Sequence, residues 1–365
     1  MKLGIVGLPN IGKSTLFNAL TQADVEAANY PFSTLVANTG VVPVPDVRLD
    51  RLTEMYKPQK TTPAAVEFVD IAGLVYGASR GEGLGNKFLT NIREVDAIVH
   101  VVRCFHDENV IHVSGRIDAA ADIETVNLEL ILADMETVER RGEKAKKMIK
   151  TGEKRHRDEA ETADLLLAHL EKEQPARTCA LSEEQKQITR DWFLLTTKPV
   201  LYAANIGEDM LGIPEDDTSE VAAIRRLAEK EGSQVLVISA KVEAEIARME
   251  PADKAEFLQA LGIERSGLER LVERSYALLG LISFLTAGPK EVRAWTIQRG
   301  AKAPQAAGKI HSDLERGFIR AEVVPYDTLV EKGGMAACKE QGLVRSEGRE
   351  YVMKDGDVTL FRFNV

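Results

Sequence analysis

The stretch Gly7-Leu8-Pro9-Asn10-Ile11-Gly12-Lys13-Ser14-Thr15 constrains this chain more than any other. It follows the apolar run Leu3-Gly4-Ile5-Val6, which predicts a buried strand. It precedes Leu16-Phe17-Asn18-Ala19-Leu20, which predicts the first turns of a helix. Strand, glycine-rich turn and helix form the setting in which G-x-x-x-x-G-K-[ST] is a phosphate-binding loop rather than a chance match. Gly7 and Gly12 let the backbone curl so that successive N–H groups face one concavity. The helix dipole adds about half a positive charge at its N-terminus. Asn10, Ile11, Gly12, Lys13, Ser14 and Thr15 are the expected phosphate contacts; Lys13 reaches the β- and γ-phosphates and the Ser14 hydroxyl can ligate Mg²⁺. An α/β domain with a mostly parallel sheet is the expected frame.

The segments that follow are read by their order after that loop. Ala27 to Thr34 is a loop, because Pro31 forbids a regular helix there. In nucleotide switches a loop here carries a hydroxyl that completes the Mg²⁺ shell; Thr34 is the first candidate and Ser33 the second. Val36 to Val44 predicts a strand, Pro45 to Lys60 a short helix, and Ala64 to Asp70 another strand. That strand ends in Asp70-Ile71-Ala72-Gly73. Asp70 can hold Mg²⁺ through water, and the Gly73 N–H can approach the γ-phosphate. Leu74 cannot orient an attacking water as the Gln of Ras-type proteins does. Tyr76 to Gly85 is glycine-dense and expected to be mobile. Ala97 to Phe105 is a near-continuous apolar strand, in which His100 reads as a satisfied core histidine. His106 and His112 lie past its C-terminal end, the edge where open α/β sheets bind ligands. His112 is the better candidate to replace the missing Gln; an ordinary loop histidine is the other reading.

From Ile123 to about Arg190 the period becomes helical. Two long helices joined near Lys150-Thr151-Gly152 fit best, an antiparallel hairpin inserted into the nucleotide domain. Its tip carries Arg140, Arg141, Lys144, Lys146, Lys147, Lys150, Lys154, Arg155 and Arg157. An RNA or phosphate-backbone contact and a solvated face balanced by Glu139, Glu143 and Glu153 are both open readings. Pro199 to Asn205 returns to strand and ends in Asn205-Ile206-Gly207-Glu208, where GTPases carry N-K-x-D. Ile206 replaces the Lys and Glu208 the Asp that pairs with guanine. Unpaired guanine donors would be buried at a cost of about 1–3 kcal/mol, which favours ATP. The Ile206 backbone is a candidate reader of the adenine edge, and Glu208 is otherwise a surface acid. Helix Glu220–Glu231, strand Gln234–Ile238 and Ser239-Ala240-Lys241 follow, the last supporting the base. Helices over 252–261 and 267–279 close the domain.

From Ile282 onward five short strands (282–286, 292–297, 321–324, 349–353 and 359–363) alternate with two short helices, a small α+β unit read as a binding module. At 365 residues and 44% hydrophobic content the chain can bury more than one core. It has no apolar run long enough for a membrane span, and no room before the first strand for a signal peptide. Cys104, Cys179 and Cys338 have no metal-type spacing and are read as free thiols in a reducing cytosol. A net charge of −10 argues against wholesale coating of nucleic acid but leaves room for local basic patches.

Together these residues resemble the YchF family, the Obg-like ATPases, which are TRAFAC-class P-loop NTPases. The resemblance rests on Gly7 to Thr15, Asn29 to Thr34, Asp70 to Gly73, Asn205 to Glu208, and Gly308 to Arg320. The last looks like the signature of the C-terminal TGS domain, a β-grasp module. The resemblance implies a nucleotide-binding domain over 1–122 and 198–280, an inserted coiled-coil hairpin over 123–197, and a TGS domain over 281–365. It implies a cytoplasmic, monomeric, Mg²⁺-dependent ATPase that prefers ATP to GTP. Its expected partner is the ribosome, through the large subunit and rRNA or tRNA. Lys13, Gly73 and His112 are the expected catalytic groups; Ser14, Thr34 and Asp70 hold the metal. Asn205, Ile206, Glu208, Ser239 and Ala240 surround the base. The family also carries an apolar residue where Leu74 stands. An Obg-type GTPase and an RNA-binding protein with a structural nucleotide are the rival readings.

Overall fold

The computed structural model describes residues 1–22, 38–71, 84–107, 110, 116–212 and 219–364. The chain opens with β1 (Lys2–Val6), α1 (Lys13–Gln22), β2 (Thr39–Pro43), α2 (Val47–Tyr56), β3 (Lys60–Thr62), β4 (Ala65–Asp70), α3 (Leu84–Arg93) and β5 (Ala97–Arg103). It continues through α4 (Ala119–Met148), α5 (Lys154–Leu170), α6 (Glu183–Thr189), β6 (Val200–Asn205), α7 (Ser219–Glu231), β7 (Gln234–Ile238), α8 (Ala240–Ile246), α9 (Pro251–Ala260) and α10 (Gly267–Leu278). It closes with β8 (Leu281–Ala287), β9 (Glu291–Gln298), α11 (Ala303–Ile310), α12 (Ser312–Arg316), β10 (Phe318–Pro325), α13 (Tyr326–Lys332), α14 (Met335–Glu340), β11 (Arg345–Glu347) and β12 (Asp357–Phe363).

These elements form two compact units, one of residues 1–41 and 67–271, the other of residues 42–66 and 272–365. The first is built on a sheet of order β2-β4-β1-β5-β6-β7. β1 pairs in parallel with β4 and β5, and β5, β6 and β7 continue in parallel. All of β5 and β6 is buried, as expected for central parallel strands covered on both faces. This sheet and the order of its elements agree with the expected P-loop architecture.

The inserted hairpin is α4 and α5. They pack through small residues: a Cβ on Gly142 would stand 3.0 Å from that of Ala163. Ile131, Val138, Leu166, Leu170, Trp192 and Leu194 form the core beneath. At its root the buried Asp134 carboxylate accepts from the Leu195 N–H at 2.7 Å, the Thr196 N–H at 2.8 Å and the Thr196 hydroxyl at 2.6 Å. Burial pushes its acidity down, while those three donors favour the charged form. Arg177 pairs with Glu231 at 2.7 Å in a second buried network that includes the Tyr202 hydroxyl. Near the tip, Lys146–Asp164 and Arg155–Glu159 are ion pairs. Lys144, Lys150, Lys154 and Arg157 have no ion pair among the described residues. Both sequence readings of the tip therefore find some support.

The second unit is a sheet of order β11-β10-β12-β8-β9-β3. Its core joins Phe284, Phe318 and Phe361 to Ala303, Ala306 and Ala307 of α11. Three findings differ from the sequence reading. Residues 42–66, placed there with the nucleotide domain, cluster with this unit: β3 runs parallel to β9, with Lys60 opposite Glu291, and α2 buries Leu49 and Leu52 while packing on β8 and β9. Four short helices are present instead of two. The strand expected over 349–353 is a turn plus a single bridge at Val352; β11 pairs instead at 345–347, because Met353 is drawn into the core and the Tyr351 hydroxyl donates to Asp357 at 2.8 Å.

Candidate nucleotide site

The C-terminal ends of the parallel strands β1, β4, β6 and β7 lie along one edge of the sheet, where open α/β folds place ligands. The register sets Ile5 beside Asp70 and Val6 beside His100, so the turn after β1 and the end of β4 are neighbours before any side chain is considered.

Two glycines shape the first turn. A Cβ at Gly7 would collide with Ile11 and lie 2.6 Å from the Val101 carbonyl oxygen. Gly12 has φ +88°, and a Cβ there would run into the Asn205 side-chain amide. Asn10 between them is also left-handed, at φ 61°. The result is a tight curl that hands over to α1, whose Leu16 N–H donates to the Gly12 carbonyl at 2.9 Å. Lys13 is only 8% exposed, and its ammonium pairs with the Asp70 carboxylate from 57 residues away. Ser14 and Thr15 on the next helical positions are exposed. The hydroxyl of Ser14 and the carboxylate of Asp70 are hard oxygen donors of the kind a hard divalent cation takes.

Asn205 joins the phosphate turn to the far side of the cleft. Its Nδ2 donates to the Ile11 carbonyl at 2.8 Å and its Oδ1 accepts from the Ala240 N–H at 2.9 Å. It is 3% exposed. Beyond it opens a cavity of about 710 Å³, lined among others by Gly12, Phe105, Ile206, Glu208, Ser239 and Ala240. The Ser239 hydroxyl is buried and has no hydrogen-bond partner among the described residues, a polar atom left over on a cavity wall. Of the Ile206 backbone, expected to read a base edge, the N–H donates to the Ile238 carbonyl at 2.9 Å. Glu208 lies at the rim, paired with Lys241 at 3.2 Å, both side chains more than half exposed.

One contributor went unnoticed in the sequence. Arg103, at the end of β5, is 2% exposed. Its Nε donates to the Phe105 carbonyl at 3.1 Å, Nη1 to that of Val110 at 2.9 Å, and Nη2 to that of Asp107 at 3.3 Å. Its guanidinium lies 4.4 Å from the centre of the Phe105 ring. Phe105, His106, Asp107 and Val110 all line the cavity, so this one side chain holds a wall in place. An arginine ending an otherwise apolar strand was the available signal: a buried guanidinium must find acceptors. His100 on the same strand is packed against Tyr202 with ring centres 5.5 Å apart, and burial lowers its pKa to about 3. It is a neutral core residue. Ser33, Thr34, Gly73, Leu74, His112 and most of Tyr76–Gly85 lie outside the described residues.

Comparison with known proteins fits this geometry. A family of 50S ribosome-binding GTPases matches residues 2–139. A C-terminal YchF-GTPase family, described as a protein of unknown function, matches residues 281–364. A protein named ribosome-binding ATPase YchF from Bacillus subtilis is 57% identical over 362 residues, 99% of each chain. Its namesake in Escherichia coli O157:H7 is 52% identical over 364 residues, covering 100% of this chain and 99% of its own. The solved structure of the Schizosaccharomyces pombe YchF GTPase superposes with a TM-score of 0.88 at 36% identity, covering 99% of this chain and 97% of that one.

Proposed function

The chain belongs to the YchF family, and on that premise we propose that it is a ribosome-associated ATPase that works as a nucleotide-dependent switch. One observation carries the reading: Lys13 and Asp70, far apart in the chain, meet at the mouth of a glycine-built phosphate turn. In the nucleotide-bound protein the Lys13 ammonium turns from Asp70 to the β- and γ-phosphates. The amides from Asn10 to Thr15 surround the phosphate oxygens, as the curl of the turn favours. Mg²⁺, when bound, neutralises the charge that develops between the β- and γ-phosphates; Ser14, Thr34 and, through water, Asp70 would hold it. Gly73 meets the γ-phosphate, and His112 orients the attacking water in place of the Gln that Leu74 cannot supply.

At the other end, Glu208 is engaged by Lys241 at the rim and is poorly placed to accept from guanine N1–H and the 2-amino group. This supports ATP over GTP. Ser239, Ala240 and the buried Asn205 frame the base. The protein acts as a cytoplasmic monomer on the large ribosomal subunit, through rRNA or tRNA. Titration calorimetry tests the base preference: ATP should bind at least about tenfold more tightly than GTP, and the reverse order would restore the GTPase reading. Hydrolysis measured with and without ribosomes tests the switch: turnover should need Mg²⁺ and rise on ribosome addition. No rise would leave an RNA-binding protein with a structural nucleotide.

A further inference from the structure

Away from the nucleotide cleft, a polar hollow of about 520 Å³ lies at the root of the inserted hairpin. Its walls are α3, through Thr90 and Arg93, α4, through Glu136, Arg140 and Arg141, and the turn that ends in Phe193. Three arginines and one acidic residue line it, in a chain whose net charge is −10. Such a local reversal of sign attracts an anion. Arg140 takes part in no ion pair among the described residues.

Phe193 makes the hollow more than a basic patch. It is 68% exposed, and its backbone is left-handed, with φ 52° and ψ 44°. That region disfavours a bulky side chain, and such outliers gather at binding sites. The turn is held from both sides: the Asp191 carbonyl accepts from Arg141 Nη2 at 3.0 Å, and Trp192 is 6% exposed in the hairpin core. The fold thus fixes the backbone of Phe193 and leaves its ring in water. An exposed ring on a fixed backbone, beside the unpaired Arg140, is the combination that takes an unpaired base and its phosphate.

We propose that this hollow is a docking site for an unpaired segment of RNA, with a base stacked on Phe193 and the adjoining phosphate held by Arg93 and Arg140. The inference rests on the ribosome-associated reading and names the chemical class of partner that one surface takes. Double-stranded RNA, whose bases are already stacked, should bind this surface poorly.

Fluorescence anisotropy with a short, labelled single-stranded RNA of mixed sequence tests it on the full chain. Phe193→Leu and Arg140→Ala should each weaken binding about tenfold. Phe193→Trp should restore it, and Arg140→Ala should flatten the salt dependence. Phe193→Gly relieves the left-handed strain, so it should weaken RNA binding without lowering the melting temperature, which separates lost recognition from lost folding. ATP affinity should stay unchanged in all four variants. RNA binding equal to wild type in Phe193→Leu and Arg140→Ala would overturn the proposal. So would variants that lose ribosome co-sedimentation yet bind the RNA normally, since the surface would then take a protein. Wild-type protein that fails to co-sediment with ribosomes would instead sink the ribosome reading.

Discussion

At the phosphate end of the nucleotide cleft Lys13 is buried and the glycines are sterically dictated; at the other end the outermost pair, Glu208 and Lys241, stands mostly in water. The phosphate turn comes from one short stretch plus Asp70, and neither Gly7 nor Gly12 has room for a Cβ. The far side of the cavity is lined from three separated stretches, Phe105 to Asp107 with Val110, 205–209 and 239–241. The side-chain amide of Asn205 hydrogen-bonds to both. On the proposed reading the contrast teaches that grip and discrimination are separable: a triphosphate would be held by a frame that tolerates little change, and the base judged at a rim that tolerates more.

The hardest blow to that contrast comes from Lys13→Ala. Charge-assisted hydrogen bonds to phosphate contribute roughly 1.5–3 kcal/mol each, so ATP affinity should fall by about 100-fold or more in titration calorimetry. A loss under about threefold would mean the grip lies elsewhere. Asn205→Ala comes next, because it orphans the buried Ile11 carbonyl and Ala240 amide. Each unpaired group costs about 1–3 kcal/mol, so the melting temperature should drop and ATP should bind about tenfold more weakly. An affinity loss without a stability loss would show that the two ends are not tied through this residue.

Acid should weaken both ends together, through the strand beneath them. His100 is held near pKa 3 by burial, against 6.5 when free. Between those values the unfolded chain binds the extra proton, so stability is full above about pH 6.5 and falls as the pH drops towards 3. The slope approaches about 1.4 kcal/mol per pH unit. In urea unfolding at pH 7 and pH 5, His100→Phe should lose less stability than wild type; equal losses would remove His100 from the account. The smallest effect belongs to the rim. Glu208→Ala breaks an exposed pair of the kind that contributes ~0–1 kcal/mol, so ATP affinity should stay within about threefold. A tenfold fall would show the base end to be as closed as the phosphate end.

What the sequence revealed follows the same division. Gly7 to Thr15 and Asp70 were legible because their spacing encodes a local shape, and the parallel sheet then brings them together. The hairpin was legible from its period. Arg103 was passed over because a strand is read for its apolar run, although a charge at the end of such a run has to be satisfied inside. That the Ile206 N–H joins the ladder to β7 could not be read locally, because the reach of that ladder is a long-range fact. The allegiance of residues 42–66 could not be read locally: a three-residue strand says nothing about which sheet edge it will extend, and its partner β9 lies more than two hundred positions downstream.

That last allegiance has a practical edge. The polypeptide passes between its two units at residues 41/42, 66/67 and 271/272. Cutting before residue 281, where the C-terminal family match begins, would not release a self-sufficient module. The fragment would lack the helix that shelters part of one sheet face and the strand that finishes an edge. Anyone wishing to express, swap or transplant this tail must bring residues 42–66 from the front of the chain with it.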